Sequence, residues 1–429
     1  MRRALIVGCG PSGLGAATQL ERDSVDFELI DRDSGAGGLA RTDQLGAFRF
    51  DRTGHFLHMR SDEFRSVVER TGVPLDRIQR KSCVALHGRI VPFPIQYNLW
   101  AVDESIRNAA LGEIGRSNEA GSCGQESLKQ AMNEAWGPTL LREFFEPYNE
   151  KLLGHLLEDI PADCLGRFAP RIDVGLVKRG AHEQVLGTGY NAEFHYPASG
   201  SIGELFNAIA ERHRQSIRFG ERLLRVDTES RCAQTDRRRI EFDFLVSSQP
   251  LPELLRACGI DPPASVRFRS AKVRNVRVGF RGSMLRDEHW VYVPDKVQPF
   301  YRIGFPRNIN VATCPDGTAS LSIECGCAVD DRGYRSTQEV AESAVAYCSA
   351  LGFVKCSEML CIDELSIDPA YVIDRSEGRR DFQDAFDCLA AHGIFATGRY
   401  GRWDYLSMED SFLDGMTIAR SALALRRAT

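Results

Sequence analysis

The 429-residue sequence predicts an α/β fold whose first domain is assembled from both ends of the chain, and three observations predict it. Residues 4–31 spell strand, glycine turn, helix, strand. The same strand–turn–helix pattern resumes only at residues 393–411. What lies between is first helical and then a succession of short strands. The length asks for two or three lobes, and a domain that opens the chain and resumes at its end implies that the other lobes are inserted within it.

Each element follows from its pattern. Ala4-Leu5-Ile6-Val7 is a continuous apolar run, as a parallel strand buried on both faces should be. Gly8-Cys9-Gly10-Pro11-Ser12-Gly13 makes the turn, a helix runs through Ala16, Ala17 and Leu20, and Phe27–Ile30 is a second strand closed by Asp31. Residues 126–136 and 139–153 carry apolar side chains at three- and four-residue spacing, broken at Gly137-Pro138. Residues 203–213 read as an amphipathic helix. Strand-like runs then dominate, at 216–219, 223–227, 240–247, 273–280, 290–293, 300–303 and 319–324, with a helix near 337–351. Gly393-Ile394-Phe395-Ala396-Thr397-Gly398 ends a last strand, and a helix begins near Glu409. No internal repeat or low-complexity segment interrupts this order.

The first turn satisfies G-x-G-x-x-G. Gly8 permits the tight turn, Gly10 lets the backbone approach a pyrophosphate, and Gly13 lets the helix pack on the strand. Pro11 and Ser12 open a helix whose N-terminus presents N–H groups and a positive dipole end to phosphates. Asp31, 18 residues after Gly13, is placed to accept hydrogen bonds from a ribose, with Arg32 beside it. In this strand–turn–helix–strand–acid setting the pattern is a Rossmann-like dinucleotide site.

The next glycines choose the dinucleotide. Gly37-Gly38-Leu39-Ala40-Arg41-Thr42 brings a second backbone approach to the pyrophosphate and a cation beside it. NAD enzymes need no such run, and the G-G-x-x-R-T pattern is familiar from FAD enzymes of the amine oxidase type. Where the fold resumes, Gly398-Arg399 offers a further FAD contact. Glu409, Asp410 and Ser411 open the last helix, whose start faces the flavin or the pyrophosphate; Ser407 with Asp410 also reads as a capping box. The expected architecture is a Rossmann-like, glutathione-reductase-like FAD-binding domain (1–75, 190–255, 385–429), a helical insertion (100–160) and an antiparallel β-sheet substrate domain (76–99, 161–189, 256–384).

Composition sets further bounds. Formal net charge is −5, from 54 Lys+Arg against 59 Asp+Glu, so no nucleic-acid surface is expected, and Arg237-Arg238-Arg239 reads as a solvated hairpin tip. The N-terminal apolar run is too short for a signal peptide, and no stretch of about 18 apolar residues spans a membrane. A cytoplasmic protein is expected, with its 13 scattered cysteines reduced and no metal site.

Several stretches along the whole chain carry a resemblance to one family. They are Phe50-Asp51-Arg52-Thr53-Gly54-His55, Val91-Pro92-Phe93-Pro94-Ile95-Gln96, Pro147-Tyr148-Asn149, Gly189-Tyr190-Asn191-Ala192 and Tyr196-Pro197 leading to Gly200. Trp290-Val291-Tyr292-Val293-Pro294, Pro299-Phe300-Tyr301-Arg302 and residues Gly398 to Tyr405 follow in order. Together they resemble the UDP-galactopyranose mutases, within the amine oxidase and protoporphyrinogen oxidase superfamily. The resemblance implies interconversion of pyranose and furanose forms of a nucleotide sugar without net oxidation. It implies that reduced FAD is the active form, its N5 attacking the anomeric carbon and displacing the nucleotide diphosphate.

The resemblance also distributes roles. Arg302 matches a diphosphate-binding arginine, with Arg167 as a second candidate and Arg171 close behind. Tyr371 and Tyr405 match tyrosines on the diphosphate, and Arg399 joins that set. Tyr292 matches a residue near the nucleoside, and Phe93, with Gln96 and Asn191 nearby, falls where the family stacks on uracil. Val226 matches a residue of the cofactor site. His55 matches a histidine on a glycine loop over the flavin, but Thr53 stands where the family has a glycine, which implies a stiffer loop. The partners implied are a nucleotide-sugar substrate and, as assembly, a homodimer; NAD(P)H is a candidate reductant that would share the substrate cleft. An FAD oxidoreductase of the amine oxidase or protoporphyrinogen oxidase type shares the same cofactor fingerprints and is the alternative. A nucleotide-sugar-binding flavoprotein without turnover is the third reading.

Overall fold

Continuous burial along the first strand shows why the chain builds layers on both of its faces. In the computed structural model, which describes residues 3–114, 127–162, 164, 173–185, 192–262, 266, 268–327, 335–373 and 379–428, strand β1 (Arg3–Val7) is apolar on both faces. Ala4 and Ile6 face one core, Leu5 and Val7 the other. Period-two alternation with every position apolar is the signature of a strand covered on both sides.

Among the described residues, five strands form the parallel sheet in the order β19-β13-β1-β2-β9. β2 is Asp26–Asp31, β9 Ile217–Phe219, β13 Phe244–Ser247 and β19 Ile394–Ala396. The strand from the C-terminal region pairs into the sheet begun by the first residues. One face is covered by α1 (Pro11–Arg22), α2 (Asp62–Glu69), α7 (Ile202–Glu211) and α13 (Met408–Ala428), through Leu14, Phe64, Phe206 and Phe412. The other is covered by α8 (Leu251–Cys258), α11 (Arg379–Ala391) and a small sheet of β10 (Leu223–Asp227), β11 (Cys232–Thr235) and β12 (Arg239–Glu241). α1 and α13 cross at backbone contact. A Cβ on Gly15 would fall on the carbonyl oxygen of Phe412, and one on Gly415 on that of Ser12. That crossing sets the starts of the two helices side by side.

The larger sheet has the order β18-β14-β17-β16-β15-β6-β7. Its strands are β6 (Ser82–Leu86), β7 (Arg89–Pro92), β14 (Ser270–Met284), β15 (Trp290–Tyr292), β16 (Arg302–Gly304), β17 (Thr318–Cys327) and β18 (Val354–Val372). It is antiparallel except where β15 pairs with β6. Helix α10 (Thr337–Ala350) packs its Val340, Ala341 and Ala344 on one face. Short helices α9 (Pro306–Ile309) and α12 (Gly398–Gly401) lie in connections. The helical region comprises α3 (Glu104–Ile114), α4 (Leu128–Leu140), a π-helical turn (Leu141–Phe145), α5 (Glu146–Leu153) and α6 (Val174–Gly180). Two ribbons, β3 (Thr42–Leu45) with β4 (Phe48–Asp51) and β5 (Leu75–Gln79) with β8 (Glu193–Pro197), join the layers.

An ion-pair chain ties the two sheets. Arg277 of β14 donates to Asp43 of β3 at 2.8 Å and to Asp363 of β18; Arg52 donates to Asp43 at 3.1 Å and to Asp33 at 3.0 Å. Burial opposes the charge on Asp43, but Arg52 and Arg277 outweigh it and hold the carboxyl below the usual range.

One sequence expectation changes. The run at 240–247 is two strands in different sheets, because Asp243 turns the chain and accepts the Arg3 amide at 2.7 Å. The expected break at Gly137-Pro138 stands: Gly137 is non-helical at φ +79°, and Glu113 accepts the Thr139 amide at 2.9 Å beyond Pro138. Arg237-Arg238-Arg239 is the exposed turn between β11 and β12, as expected, and there the Arg238 guanidinium is also held by the buried carboxylates of Glu28 and Glu221.

Candidate active site

The first glycine turn and the second meet main chain to main chain. Gly37 donates its N–H to the Cys9 carbonyl at 2.8 Å. Gly10 and Gly38 then pack main chain on main chain: a Cβ on Gly10 would lie 3.8 Å from the Gly38 Cα, and one on Gly38, at φ +55°, 3.2 Å from the Gly10 Cα. Gly10 is also the N-cap of α1, so free helix N–H groups open onto the same place. Asp31 closes the turn, taking the Cys9 amide at 2.5 Å and the Asp33 amide at 2.7 Å. Each oxygen keeps a lone pair for a further donor.

The resumed strand reaches the start of α1 as well: a Cβ on Gly398 would fall on the Ser12 hydroxyl. Thr397 and the Gly398 amide both donate to Asp414 at 2.7 Å, which binds the end of β19 to α13. Ser407 and Asp410 form the capping box, with Asp410 accepting from the Ser407 amide at 2.9 Å and returning its own amide at 3.2 Å. Glu409 turns elsewhere and accepts the Arg60 and Ser61 amides at 2.8 and 2.7 Å. Leu39 packs against the cluster holding Tyr301, which brings the second glycine loop to the larger sheet.

On that sheet sits a half-buried polar cluster. Arg302 makes a bidentate pair with Glu324, at 2.9 and 2.7 Å, and the Tyr301 hydroxyl donates to the same carboxylate at 2.6 Å. Arg399 has a different setting. Its guanidinium lies 4.2 Å from the ring centroid of Tyr405 and 5.3 Å from that of Tyr371. The two rings are stacked at 5.9 Å and 11°. Among the described residues no carboxylate pairs with Arg399, and its Nε is shielded without a hydrogen-bond partner. The cluster therefore carries one positive charge in excess.

An aromatic wall adjoins it. Phe93 and Tyr292 lie 4.7 Å apart, Tyr148 meets Tyr292 edge-on at 5.2 Å, and Phe56 stacks on Trp290 at 4.7 Å. Gln96 is buried beneath, its Oε1 without a partner. The loop after β4 hangs over these groups. A Cβ on Gly54 would come within 3.7 Å of Arg302, and Thr53 holds φ +70°, a left-handed conformation that a β-branched residue adopts under strain. Next to it, the His55 Nδ1 is buried without a partner. Burial first, and then the positive charges of Arg399 and Arg302, pull the His55 pKa down to about 4, so the imidazole is neutral at physiological pH.

With this geometry in hand, a family model for flavin-containing amine oxidoreductases matches residues 11–283, more than half of the chain. The chain belongs to that family. The crystal structure of reduced UDP-galactopyranose mutase superposes with a TM-score of 0.91 at 23% identity, over 99% of this chain and 94% of the other. A protein assigned as a protoporphyrinogen oxidase from Exiguobacterium sp. 255-15 gives 0.76 at 16%, covering 99% of both chains. Putrescine oxidase bound to putrescine gives 0.67 at 15%, also over 99% of both. At such identities these likenesses establish the fold.

A flavin-containing amine oxidoreductase holds a flavin, and the residues present fit one. Where Gly10 and Gly38 meet, the main chain is bare of side chains, so a pyrophosphate would lie alongside it, with the N–H groups of α1 at hand and Asp31 nearby. Gly8 takes the φ of +100° that the turn demands. Other residues expected at the cofactor are engaged within the protein. Thr42 donates to Asp51 at 2.6 Å and accepts the Gly203 amide at 2.9 Å. Arg41 folds onto Ser34 and Asp43, and Arg32 lies 3.8 Å from Glu253. Ser411 is buried at the start of α13, and Val226 is buried between β10 and the core of the parallel sheet.

Of the expected substrate residues, Arg302, Arg399, Tyr371, Tyr405, Tyr292, Phe93, Gln96 and His55 fall into one neighbourhood. Arg167, Arg171 and Asn191 lie outside the described residues. Glu324 was not singled out, and Tyr148 and Tyr301 stood in the quoted stretches without a role of their own. The signal for Glu324 was available: Ser320, Ser322 and Glu324 share one face of β17 by period-two alternation, and all three are buried.

Proposed function

We propose that the protein is an FAD-dependent nucleotide-sugar mutase that interconverts pyranose and furanose forms, as UDP-galactopyranose mutase does. The observation that carries the reading is the positive charge of Arg399, stacked on Tyr405 and Tyr371 with no carboxylate partner among the described residues. Two facing aromatic rings are a recognition device for a cation, and here the protein's own guanidinium lies against them. A substrate ammonium would meet like charge; a diphosphate would meet a donor fork. Arg302 is held by Glu324 with its guanidinium edge next to Gly54, so it adds a second fixed donor set. The Tyr371 and Tyr405 hydroxyls complete the diphosphate contacts, and Phe93 with Tyr292 offers a stacking face for the base.

When bound and reduced, FAD supplies a nucleophilic nitrogen for the anomeric carbon. His55, neutral, serves as a hydrogen-bond partner for a sugar hydroxyl and adds no charge beside the departing diphosphate. The family match itself favours a second reading, oxidation of an amine or a porphyrinogen.

Equilibrium titration of the flavin-loaded protein separates the two. UDP should bind, and Arg399→Leu should weaken it about 10- to 100-fold, the loss of charge-assisted hydrogen bonds. Binding of putrescine with no response to UDP would replace the mutase reading by the oxidase one.

A further inference from the structure

Helix α5 reaches the candidate site at two points. Tyr148 stands against Tyr292 at 5.2 Å and Tyr301 at 6.0 Å. One turn later, Lys151 is turned toward the connection between β15 and β16. Its ammonium donates to the carbonyl oxygens of Phe300 at 2.7 Å, Asp295 at 2.8 Å and Gln298 at 3.4 Å. Three N–H donors meet three main-chain acceptors. The connection has little packing at its tip, where Val297 is 74% exposed. Its other side-chain ties are the Ser343 hydroxyl on Gln298 at 3.2 Å and the Lys296–Glu150 ion pair at 3.9 Å. Yet the two strands it joins carry Tyr292 and Arg302, and Phe300 lies two residues before Arg302. The backbone of α5 is equally fixed, since a Cβ on Gly326 of β17 would fall on the Lys151 carbonyl oxygen, two residues past Glu324.

We infer that Lys151 is a positioning residue: it clamps residues 293–301 onto α5 and so aims Arg302 and Tyr292 at the ligand. The ligand half of this statement rests on the nucleotide-sugar reading above; the clamp does not. The charged and titratable groups facing Lys151 are Asp295 on the connection and Cys325 on β17, with Glu150 on its own helix 3.9 Å from Lys296. Burial, against the pull of Asp295, brings the Lys151 pKa down to about 7. Above that pH a neutral amine has two N–H donors for three carbonyls, so the clamp loosens.

The test compares FAD-loaded wild type, Lys151→Met and Lys151→Arg by hydrogen exchange of peptides spanning 293–304 and by the Kd of UDP. In Lys151→Met, exchange should quicken about tenfold in that segment alone, and the UDP Kd should rise by a similar factor with flavin content unchanged. Lys151→Arg, which keeps its charge, should restore both. Raising the pH from 6.5 to 8.5 should weaken UDP binding several-fold in wild type and leave Lys151→Arg flat, a comparison that stands even if Lys151→Met does not fold. Equal exchange and equal Kd in all three proteins, or identical pH profiles in wild type and Lys151→Arg, would overturn the assignment. If wild type binds no UDP, the nucleotide-sugar reading falls, and the exchange pattern alone decides the clamp.

Discussion

Removing Arg302 would fall hardest on Glu324. That carboxylate is 2% exposed and has the Tyr301 hydroxyl as its other side-chain donor. Arg302→Ala should therefore cost about 3–5 kcal/mol of stability in urea, the penalty of stranding a buried charge, apart from any loss of ligand. Arg302→Ala with Glu324→Gln should recover much of it; a single variant as stable as wild type would contradict the pairing. His55 gives a pH signature. Its folded pKa of about 4 lies below the ordinary 6.5, so its contribution to stability is complete above pH 6.5 and is lost as pH falls toward 4. His55→Ala should flatten that slope, and NMR should find no imidazole titration between pH 5 and 8; a midpoint near 6.5 would refute its burial. Legibility at this scale follows chemistry. Arg302 and Tyr405 were readable because they sit in the stretches that carry the resemblance. Lys151 was not, because its partners are carbonyl oxygens, which no side-chain pattern announces.

The loop after β4 shows what an element can store. Thr53 at φ +70° is held there by the ribbon on one side and by Gly54 beside Arg302 on the other. Thr53→Gly should raise the stability of the flavin-loaded protein by about 0.5–1 kcal/mol, relief of left-handed strain less the added freedom of the unfolded chain. A lower Tm would show that the threonine side chain contributes more than its backbone costs. Elements with local signals were legible: the glycine turn, the capping box at Ser407, and the helix of 337–350 with its Ser336–Glu339 box. β18 was not. Over 19 residues it alternates polar and apolar side chains weakly, with most positions partly exposed, and β14 alone among the strands holds it in place.

The molecule works as one body because its two sheets share ion pairs. Arg277 and Arg52 converge on Asp43, whose lowered pKa means that this tie is whole above about pH 4 and fails as pH drops through the folded value. Calorimetry of wild type near neutrality should show one transition, and Asp43→Asn should split or broaden it; an unchanged single transition would mean that packing of Phe48 over Gly279 suffices. The strand–turn–helix–strand start of the parallel sheet and its two glycine turns were legible in the first 42 residues. The assembly of the substrate neighbourhood was not, since Gly54, Phe93, Tyr148, Arg302, Tyr371 and Arg399 come together only through pairings far apart in sequence. What that neighbourhood does is tested most directly by turnover. Dithionite-reduced, FAD-loaded protein would be incubated with UDP-galactopyranose and the nucleotide sugars separated by chromatography. Appearance of the furanose isomer, absent with oxidised protein, is the predicted result. Unchanged nucleotide sugars across a panel of bases and hexoses, with the oxidised flavin bleached by an amine instead, would contradict the account.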